Sequence, residues 1–290
     1  MASGIPLYDI SNFESYKDEG ILISRFGYYA KTHVHLHKAH RHTFYHLVYF
    51  STGKGTQTID FKQFPIEAGQ IYFMAPGQVH SWNFEEAPDG YIINFSKSYF
   101  SSFLANASYL ESFRMFNGIP QDQVIQLEAA LQAEVTALFE GMLQETPRQE
   151  LFSQDMVRTL MLQLLIKVAR TAQTQTTASA HSYNQTVFRN FLKLIEEHYL
   201  TLRFPKAYAE ILYVTPNHLN ALCKDLAGIP AGELIRARVV LESKRLLINE
   251  SLSIAEIADR MNFKDNSYFN RFFKKQEGIT PEKFRKSNVQ

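Results

Sequence analysis

The sequence predicts an α+β protein of two domains. The first is a sheet-rich domain that carries a helical hairpin, and the second is all-α. Short runs of β-branched and aromatic residues, separated by turn residues, occupy positions 20–95. Apolar residues then recur at helical spacing through 96–172, and one helical pattern occurs twice between Pro205 and Arg285. A chain of 290 residues has room for two such domains.

The strand-like runs in 20–95 are short and evenly spaced, which favours a β-barrel. Two motifs with histidines lie in this stretch: His40-Arg41-His42 with His46, and Gly69–Met74 followed by a turn and His80. These motifs resemble the two halves of a cupin barrel. We therefore predict a cupin-like barrel at about 20–95 within an effector-sensing and dimerisation domain at 1–172.

Four of the histidines suggest a ligand site inside the barrel: His40, His42, His46 and His80. In metal-binding cupins the matching positions are two His, one Glu and one His, and His46 stands at the Glu position. The four rings could form a nitrogen-rich site suited to zinc, iron, copper or nickel. The alternative is a metal-free polar pocket for an organic effector, and we expect this alternative, with no metal and no cofactor. The predicted effector pocket comprises His40, His42, Tyr45, His46, Tyr72, His80 and Trp82.

Helices are predicted at about 96–172, because 121–145 and 151–168 each carry an apolar stripe close to helical spacing. Residues 173–182 are small and polar, which is typical of a flexible linker. The C-terminal domain is predicted to follow at 183–290.

The repeated pattern of the C-terminal domain covers Ala209–Pro230 and Ala255–Thr280. Each copy predicts a short helix, a turn and a second helix, which is a helix-turn-helix unit. Thr215 and Asp265 are suitable N-caps for the two second helices, and a glycine follows each helix as a stop. Between the copies, Pro230–Asn249 predicts one long amphipathic helix that would hold the two units at a fixed separation.

Three motifs of fixed spacing occupy the end of the chain: S-I-x-E-I-A from Ser253, F-x-D-x-S-Y-F-x-R-x-F from Phe263 and G-x-T-P-x-x-F-R from Gly278. Over roughly the last hundred residues the chain resembles the DNA-binding domain of AraC/XylS-type bacterial transcription regulators. Two positions depart from that pattern. Asn262 stands where the family usually has Gly, and Cys223 stands where it prefers an aromatic residue.

The resemblance implies a regulator that senses a small molecule with its N-terminal domain and binds promoter DNA with its C-terminal domain. It also implies contact with RNA polymerase, usually to activate transcription. In the family, helices in the position of 96–172 pair two protomers, which implies a homodimer; the alternative is that both stripes pack on their own barrel. We predict no enzyme activity and no catalytic residue. Two other classes remain open: a metal-dependent cupin enzyme with an appended DNA-binding domain, and an architectural DNA-binding protein without an effector.

Base recognition is predicted near the N-terminal ends of the two second helices, because Asn can pair with adenine and Arg with guanine through two hydrogen bonds. Lys and Arg contacts to phosphate would make the affinity depend on salt. The aromatic residues Tyr268, Phe269, Phe272 and Phe273 are predicted to face the domain interior. The predicted DNA-binding residues are Asn217, His218, Asn220, Lys224, Arg238, Asn266, Ser267, Asn270, Arg271 and Lys274.

The charge distribution agrees with a nucleic-acid partner for the C-terminal half. Residues 181–290 carry 17 Lys and Arg against 12 Asp and Glu, whereas the whole chain has a net charge of +1. The single cysteine suits a reducing compartment. The first twenty residues lack the features of a secretory signal, and no apolar run is long enough to cross a membrane. These observations predict a cytoplasmic protein.

Overall fold

The computed structural model of the chain describes residues 5–13, 20–101, 103–106, 109–116, 122–148, 150–173, 183–248 and 252–288. The chain divides into two compact units, one spanning Pro6–Ala178 and one containing Ser179–Gln290. Of the predicted linker, residues 174–182 lie outside the described residues.

The first unit contains a six-stranded antiparallel sheet and a separate parallel pair of short strands. The strands are β1 Leu7–Tyr8, β2 Ile21–Arg25, β3 Arg41–His42, β4 Tyr45–Ile59, β5 Lys62–Ile66, β6 Gln70–Met74, β7 His80–Phe95 and β8 Val124–Gln126. The order in the sheet is β2-β7-β4-β6-β8, with β5 paired to β4, and β1 pairs with β3. Among the described residues these pairings form an open path, so that the closed barrel stays a prediction.

The long strands β4 and β7 pair along nearly their whole length and bend together. The register shifts three times between Phe50 and Gly55, and such bulges bend a sheet. Gly90 is required at the bend because a Cβ atom there would lie 1.9 Å from the carbonyl oxygen of Tyr49. The bend brings Ile59 into the same buried cluster as Phe50.

Successive side chains point to opposite sides of a strand, and in the central strands both sides are buried. The inner cluster, on one face, includes Phe26, Tyr29, Phe44, Val48, Phe50, Ile59, Tyr72, Met74, Trp82 and Ile92. The outer cluster, on the other face, includes Leu47, Tyr49, Ile71, Phe73, Tyr91, Ile93 and Phe95, together with apolar residues of two helices.

Those two helices, α2 (Ala129–Glu145) and α3 (Ser153–Gln173), cover the outer face of the sheet. Most members of both predicted apolar stripes are buried within this unit: Val135, Leu138, Met142, Val157, Met161, Leu164, Leu165 and Val168. The stripes therefore pack on the sheet of their own chain. No helix among the described residues is both long enough and apolar enough to span a membrane.

Among the segments that differ from the sequence prediction are two short ones. Val124–Gln126, which was predicted to be helical, forms β8 and pairs with β6. Phe26–Thr32, which lies inside the predicted all-β stretch, forms helix α1. In α1 the side chains of Phe26 and Tyr29 lie one turn apart and both enter the inner cluster. In each case contacts with distant residues override the local pattern.

The second unit is helical in all its described elements. The helices are α4 Tyr183–His198, α5 Pro205–Ile211, α6 Pro216–Ala227, α7 Ala231–Leu247, α8 Ile254–Arg260, α9 Asn266–Glu277 and α10 Pro281–Asn288. The predicted N-caps are confirmed, because the side chain of Thr215 accepts from the backbone of α6 and that of Asp265 from the backbone of α9. Gly228 and Gly278 end these two helices in the left-handed conformation, as predicted.

Helices α5 and α6 form a first pair, and α8 and α9 form a second, with α7 between them. The turns of the two pairs correspond, because Tyr213 and Asn262 both have a φ of +55°. The side-chain amide of Asn262 also donates to the Leu200 carbonyl at 3.0 Å, which fixes the second turn. Helix α7 ends at Leu247, and the predicted end at Asn249 lies outside the described residues.

Candidate functional site

Helix α6 presents a polar face beside a buried apolar face. Leu219, Leu222 and Cys223 are buried, whereas Asn217 and Lys224 are exposed. A surface groove of about 460 Å³ is lined by Asn217, Asn220, Ala221, Lys224 and Pro230. The exposed polar face of α6 therefore borders a surface depression.

Helix α9 repeats this arrangement. Phe269 and Phe273 are buried, and the opposite side carries the exposed residues Asn266, Ser267, Tyr268, Arg271 and Lys274. Asn270 is half-buried, and its amide donates to the side-chain oxygen of Asn266 at 2.7 Å. The prediction that Tyr268 faces the interior is wrong, because its side chain is 51% exposed. Tyr268 was predicted to be buried because its neighbours in the sequence are aromatic, and its place on the polar face was missed for that reason.

Arg238 does not stand free on α7, and its predicted role as a DNA contact is corrected. Its Nε atom donates to both carboxylate oxygens of Glu196 at 2.9 and 2.8 Å, and Nη1 donates to Glu242 at 3.1 Å. The guanidinium also lies 4.0 Å from the ring centre of Tyr199. Burial lowers the pKa of Arg238, but the two carboxylates outweigh it and hold the pKa above its usual value. Arg238 is thus part of the domain's own packing.

Asn220 also has an internal role. Its side-chain oxygen accepts a hydrogen bond from the backbone nitrogen of Ala231 at 3.1 Å. This bond ties α6 to the first residue of α7, where a helix has backbone donors without partners. Asn220 therefore has a capping role within the domain, and the base contact predicted for it stays a prediction. His218 is half-buried on the same helix.

In the first unit, His40, His42 and His80 come together where β3 approaches the start of β7. The backbones of His40 and His80 form an antiparallel bridge, with both N–H···O distances at 3.0 Å. One ring nitrogen from each of the three lies within 4.8 Å of the other two. His46, on β4, adds a ring centred 5.0 Å from His42 and 5.1 Å from His80. These four residues are called the histidine cluster below.

The histidine cluster is fully buried, since none of its members is more than 3% exposed. Burial is the main cause that lowers the pKa of His40 to about 4 and that of His46 to about 3. Burial likewise holds the pKa values of His42 and His80 well below the usual value, and the neighbouring imidazoles add to the effect. The four rings are therefore neutral near pH 7, and each keeps a nitrogen lone pair.

Two other predicted pocket residues lie on the same side of the sheet as the cluster. The ring of Trp82 is centred 5.3 Å from that of His80. Tyr72 belongs to the inner cluster, and its hydroxyl donates to the carbonyl of Pro65 at 2.6 Å. The fold thus places these residues, which the sequence motifs identified, on the same inner side of the sheet.

Tyr45 is the exception among the predicted pocket residues. Its ring stacks on Phe95 at a centroid distance of 4.9 Å and packs against the outer cluster. Because side chains alternate along β4, the inward position of His46 directs Tyr45 to the opposite face. Tyr45 is therefore separated from the histidine cluster by the sheet.

The first unit is rich in sheet and contains a buried polar cluster, and the second is helical and has two capped helices that expose polar faces. Together they define a DNA-binding regulator with a separate ligand-binding domain. The family model of the AraC-like ligand binding domain matches residues 22–165, and that of a helix-turn-helix domain matches residues 208–287. The chain belongs to the AraC family of transcription regulators.

Several relatives match most of the chain. The HTH-type transcriptional activator RhaR of Cronobacter sakazakii is 22% identical over 85% of this chain and 86% of its own length. The Msm operon regulatory protein of Streptococcus mutans is 26% identical over 81% of each chain. Among solved structures, ToxT of Vibrio cholerae with a bound unsaturated fatty acid aligns with 93% of this chain and 97% of its own, at 12% identity and a TM-score of 0.44.

Proposed function

We propose that this protein activates transcription in the cytoplasm by reading a promoter with two helix-turn-helix units, α5–α6 and α8–α9, in response to a small molecule. The observation that carries the proposal is the repeated geometry of α6 and α9, each of which has a side-chain N-cap, a buried apolar face and an exposed polar face. Such second helices enter the major groove in helix-turn-helix proteins. The activator RhaR among the relatives supports activation.

The domain assignment follows the same reasoning. A cupin-like domain at 1–172 binds the effector, 173–182 links the domains, and 183–290 binds DNA. The bent pair β4–β7 and the inner cluster support a cupin-like interior. Helix α7 joins the two DNA-reading pairs through a core that includes Ile235 and Val239. RNA polymerase is the proposed partner at the promoter.

The proposed DNA-contacting set keeps the exposed and half-exposed predicted residues of the two helices except Asn220, whose side-chain oxygen is used within the domain, and it adds Tyr268. Arg271 is the strongest candidate for base recognition, because its side chain is exposed on the polar face of α9. An arginine there can donate two hydrogen bonds to guanine. The set is Asn217, His218, Lys224, Asn266, Ser267, Tyr268, Asn270, Arg271 and Lys274.

The test is fluorescence anisotropy of the full chain on a selected DNA site and on a scrambled site, at several salt concentrations. Arg271→Ala should weaken specific binding by about 1–3 kcal/mol if the side chain reads a base. Arg271→Lys is the matched control, since it keeps the charge and loses the planar fork. We expect Arg271→Lys to keep the salt dependence and to lose discrimination between the sites. Unchanged affinity of Arg271→Ala on the selected site would contradict the assignment.

A homodimer is also proposed, through the start of α3. The apolar side chains of Leu151, Phe152 and Met156 are 84%, 69% and 50% exposed. Phe152 also has a φ of +68°, which is uncommon for a bulky residue. Because the stripes of α2 and α3 are used within the chain, this exposed group is the candidate contact between protomers.

A further inference from the structure

The histidine cluster concentrates imidazole nitrogens where water has little access. His40 is one residue before β3, His42 is in β3, His46 is in β4 and His80 begins β7, so that four chain positions converge. Polar atoms in protein interiors nearly always have hydrogen-bond partners. Among the described residues, Nε2 of His40, Nε2 of His46 and both ring nitrogens of His42 have none. A ligand that accepts several lone pairs would account for so many unpartnered nitrogens in the interior.

Two of the rings are held in the orientation that metal ligation requires. Nδ1 of His40 lies 2.7 Å from the Lys38 carbonyl oxygen, and Nδ1 of His46 lies 2.6 Å from Oδ1 of Asn94. An Nδ1–H that donates to an oxygen leaves Nε2 unprotonated and fixes the direction of its lone pair. Metal-binding histidines in proteins generally have such a partner on the second nitrogen. The two nitrogens freed in this way, Nε2 of His40 and Nε2 of His46, are both among those that lack partners.

The spacing of the rings suits a single ion. The three nitrogens of His40, His42 and His80 lie within 4.8 Å of one another. In a tetrahedral site with metal–nitrogen bonds of 2.0–2.1 Å, ligand atoms are about 3.4 Å apart. To bind one ion, each nitrogen would have to move inward by at most about 1 Å, and small rotations of the side chains are enough for such a shift.

The donor set selects the class of metal. The close group of three ligand atoms consists of imidazole nitrogens alone. Imidazole suits zinc, copper and nickel, whereas magnesium and calcium require oxygen ligands. Neutral imidazoles are also needed, because a protonated ring has no lone pair to donate.

We propose that His40, His42 and His80 bind one divalent transition-metal ion of the zinc, nickel and copper class, with Nε2 of His46 as the fourth ligand. The sequence alone favours a metal-free pocket, and the convergence of the rings leads to the opposite conclusion. Because the ligands come from β3, β4 and β7 and the segment before β3, the ion ties together strands that enclose the inner cluster. Metal occupancy then stabilises the N-terminal domain, and the stabilisation grows with the logarithm of the free-ion concentration once that concentration exceeds the dissociation constant.

The experiment uses the full chain, purified without a histidine tag and stripped with a chelator. Zn²⁺ is titrated in competition with a chromophoric chelator, and Co²⁺ is added separately to record its visible absorption. We expect one ion per chain, the strong absorption of a four-coordinate Co²⁺ site and a higher unfolding temperature with Zn²⁺. His42→Gln and His80→Gln should each lose this site. Asn94→Ala should weaken Zn²⁺ binding about 10–100-fold, because it releases the ring of His46.

The matched control is His35→Gln, because His35 is exposed and outside the cluster. It should bind Zn²⁺ like the original chain. Failure of Zn²⁺, Ni²⁺, Cu²⁺ and Co²⁺ to bind at one ion per chain would overturn the proposal, as would full binding by His42→Gln and His80→Gln. If the cluster variants do not fold, X-ray absorption of the Zn²⁺-loaded original chain decides. A first shell of histidine nitrogens supports the site, and a shell of oxygens overturns it. Metal binding and promoter binding are measured separately, so that either can fail alone.

Discussion

Replacing Arg238 with Ala is expected to destabilise the second unit without removing a DNA contact. The guanidinium donates to Glu196 and Glu242 and stacks on Tyr199, and only 14% of the side chain is exposed. Breaking a buried ion pair from one side costs about 3–5 kcal/mol. Here Glu196 is 54% exposed and can be rehydrated, and Glu242 keeps Arg245 at 3.3 Å. We therefore expect a loss of about 2–3 kcal/mol, because solvent compensates part of the change.

A domain of this size loses about 4–8 °C in unfolding temperature for each kcal/mol, which predicts a fall of roughly 10–20 °C. Far-ultraviolet circular dichroism follows the helices, while the fluorescence of Trp82, the only tryptophan, follows the first unit. Arg238→Lys is the control, because it keeps the positive charge but loses the planar guanidinium with its forked donors. The reasoning is refuted if Arg238→Ala keeps the unfolding temperature and weakens DNA binding as Arg271→Ala does.

Three further predictions concern other parts of the chain. Burial raises the pKa of the Cys223 thiol to about 12, so that the folded protein at pH 8 should resist iodoacetamide and react only on unfolding. The neutral buried thiol contributes to stability below the pKa that it has in the unfolded chain, and this contribution is lost as the pH rises above that value. Rapid alkylation of the native protein would contradict this. Asn262→Ala should cost about 1–2 kcal/mol in denaturant unfolding, because it strains the left-handed turn and removes the bond to Leu200, whereas Asn262→Gly should cost less. An equal cost for both would show that the backbone conformation is unimportant. Phe152→Asp should convert the proposed dimer to a monomer in light scattering, and a monomeric original chain would exclude the dimer.

Much of the fold could be predicted from local sequence signals. The caps at Thr215 and Asp265 and the positions of α6 and α9 follow from residues within a few positions of each other. The assignment of Val124–Gln126 to a helix failed because β8 depends on pairing with β6, a strand about fifty residues earlier in the chain. Pairing between distant segments leaves no periodic signal in a short stretch.

The candidate sites show the same division. The histidine motifs were visible in the sequence, and apart from Tyr268 the faces of α6 and α9 followed from their apolar spacing. The misplacement of Tyr45 had a signal, since adjacent residues of one strand cannot share a face. One partner of Arg238, by contrast, is Glu196, which lies 42 positions away on α4, and no local sequence pattern in either segment predicts this contact.

By itself the sequence determined the order of the domains, the repeated helix pairs with their caps and turns, and the family. These depend on interactions within a turn or two of helix or along one strand, which residue types and their spacing specify. Only the tertiary structure decided which polar side chains meet solvent and which meet each other. The bending of β4 and β7 brings His40 and His42 to His80, and the packing of α7 on α4 takes Arg238 out of solvent. Whether a buried nitrogen has a partner depends on such long-range contacts, and so the proposed metal site could be favoured over a metal-free pocket only from the folded chain.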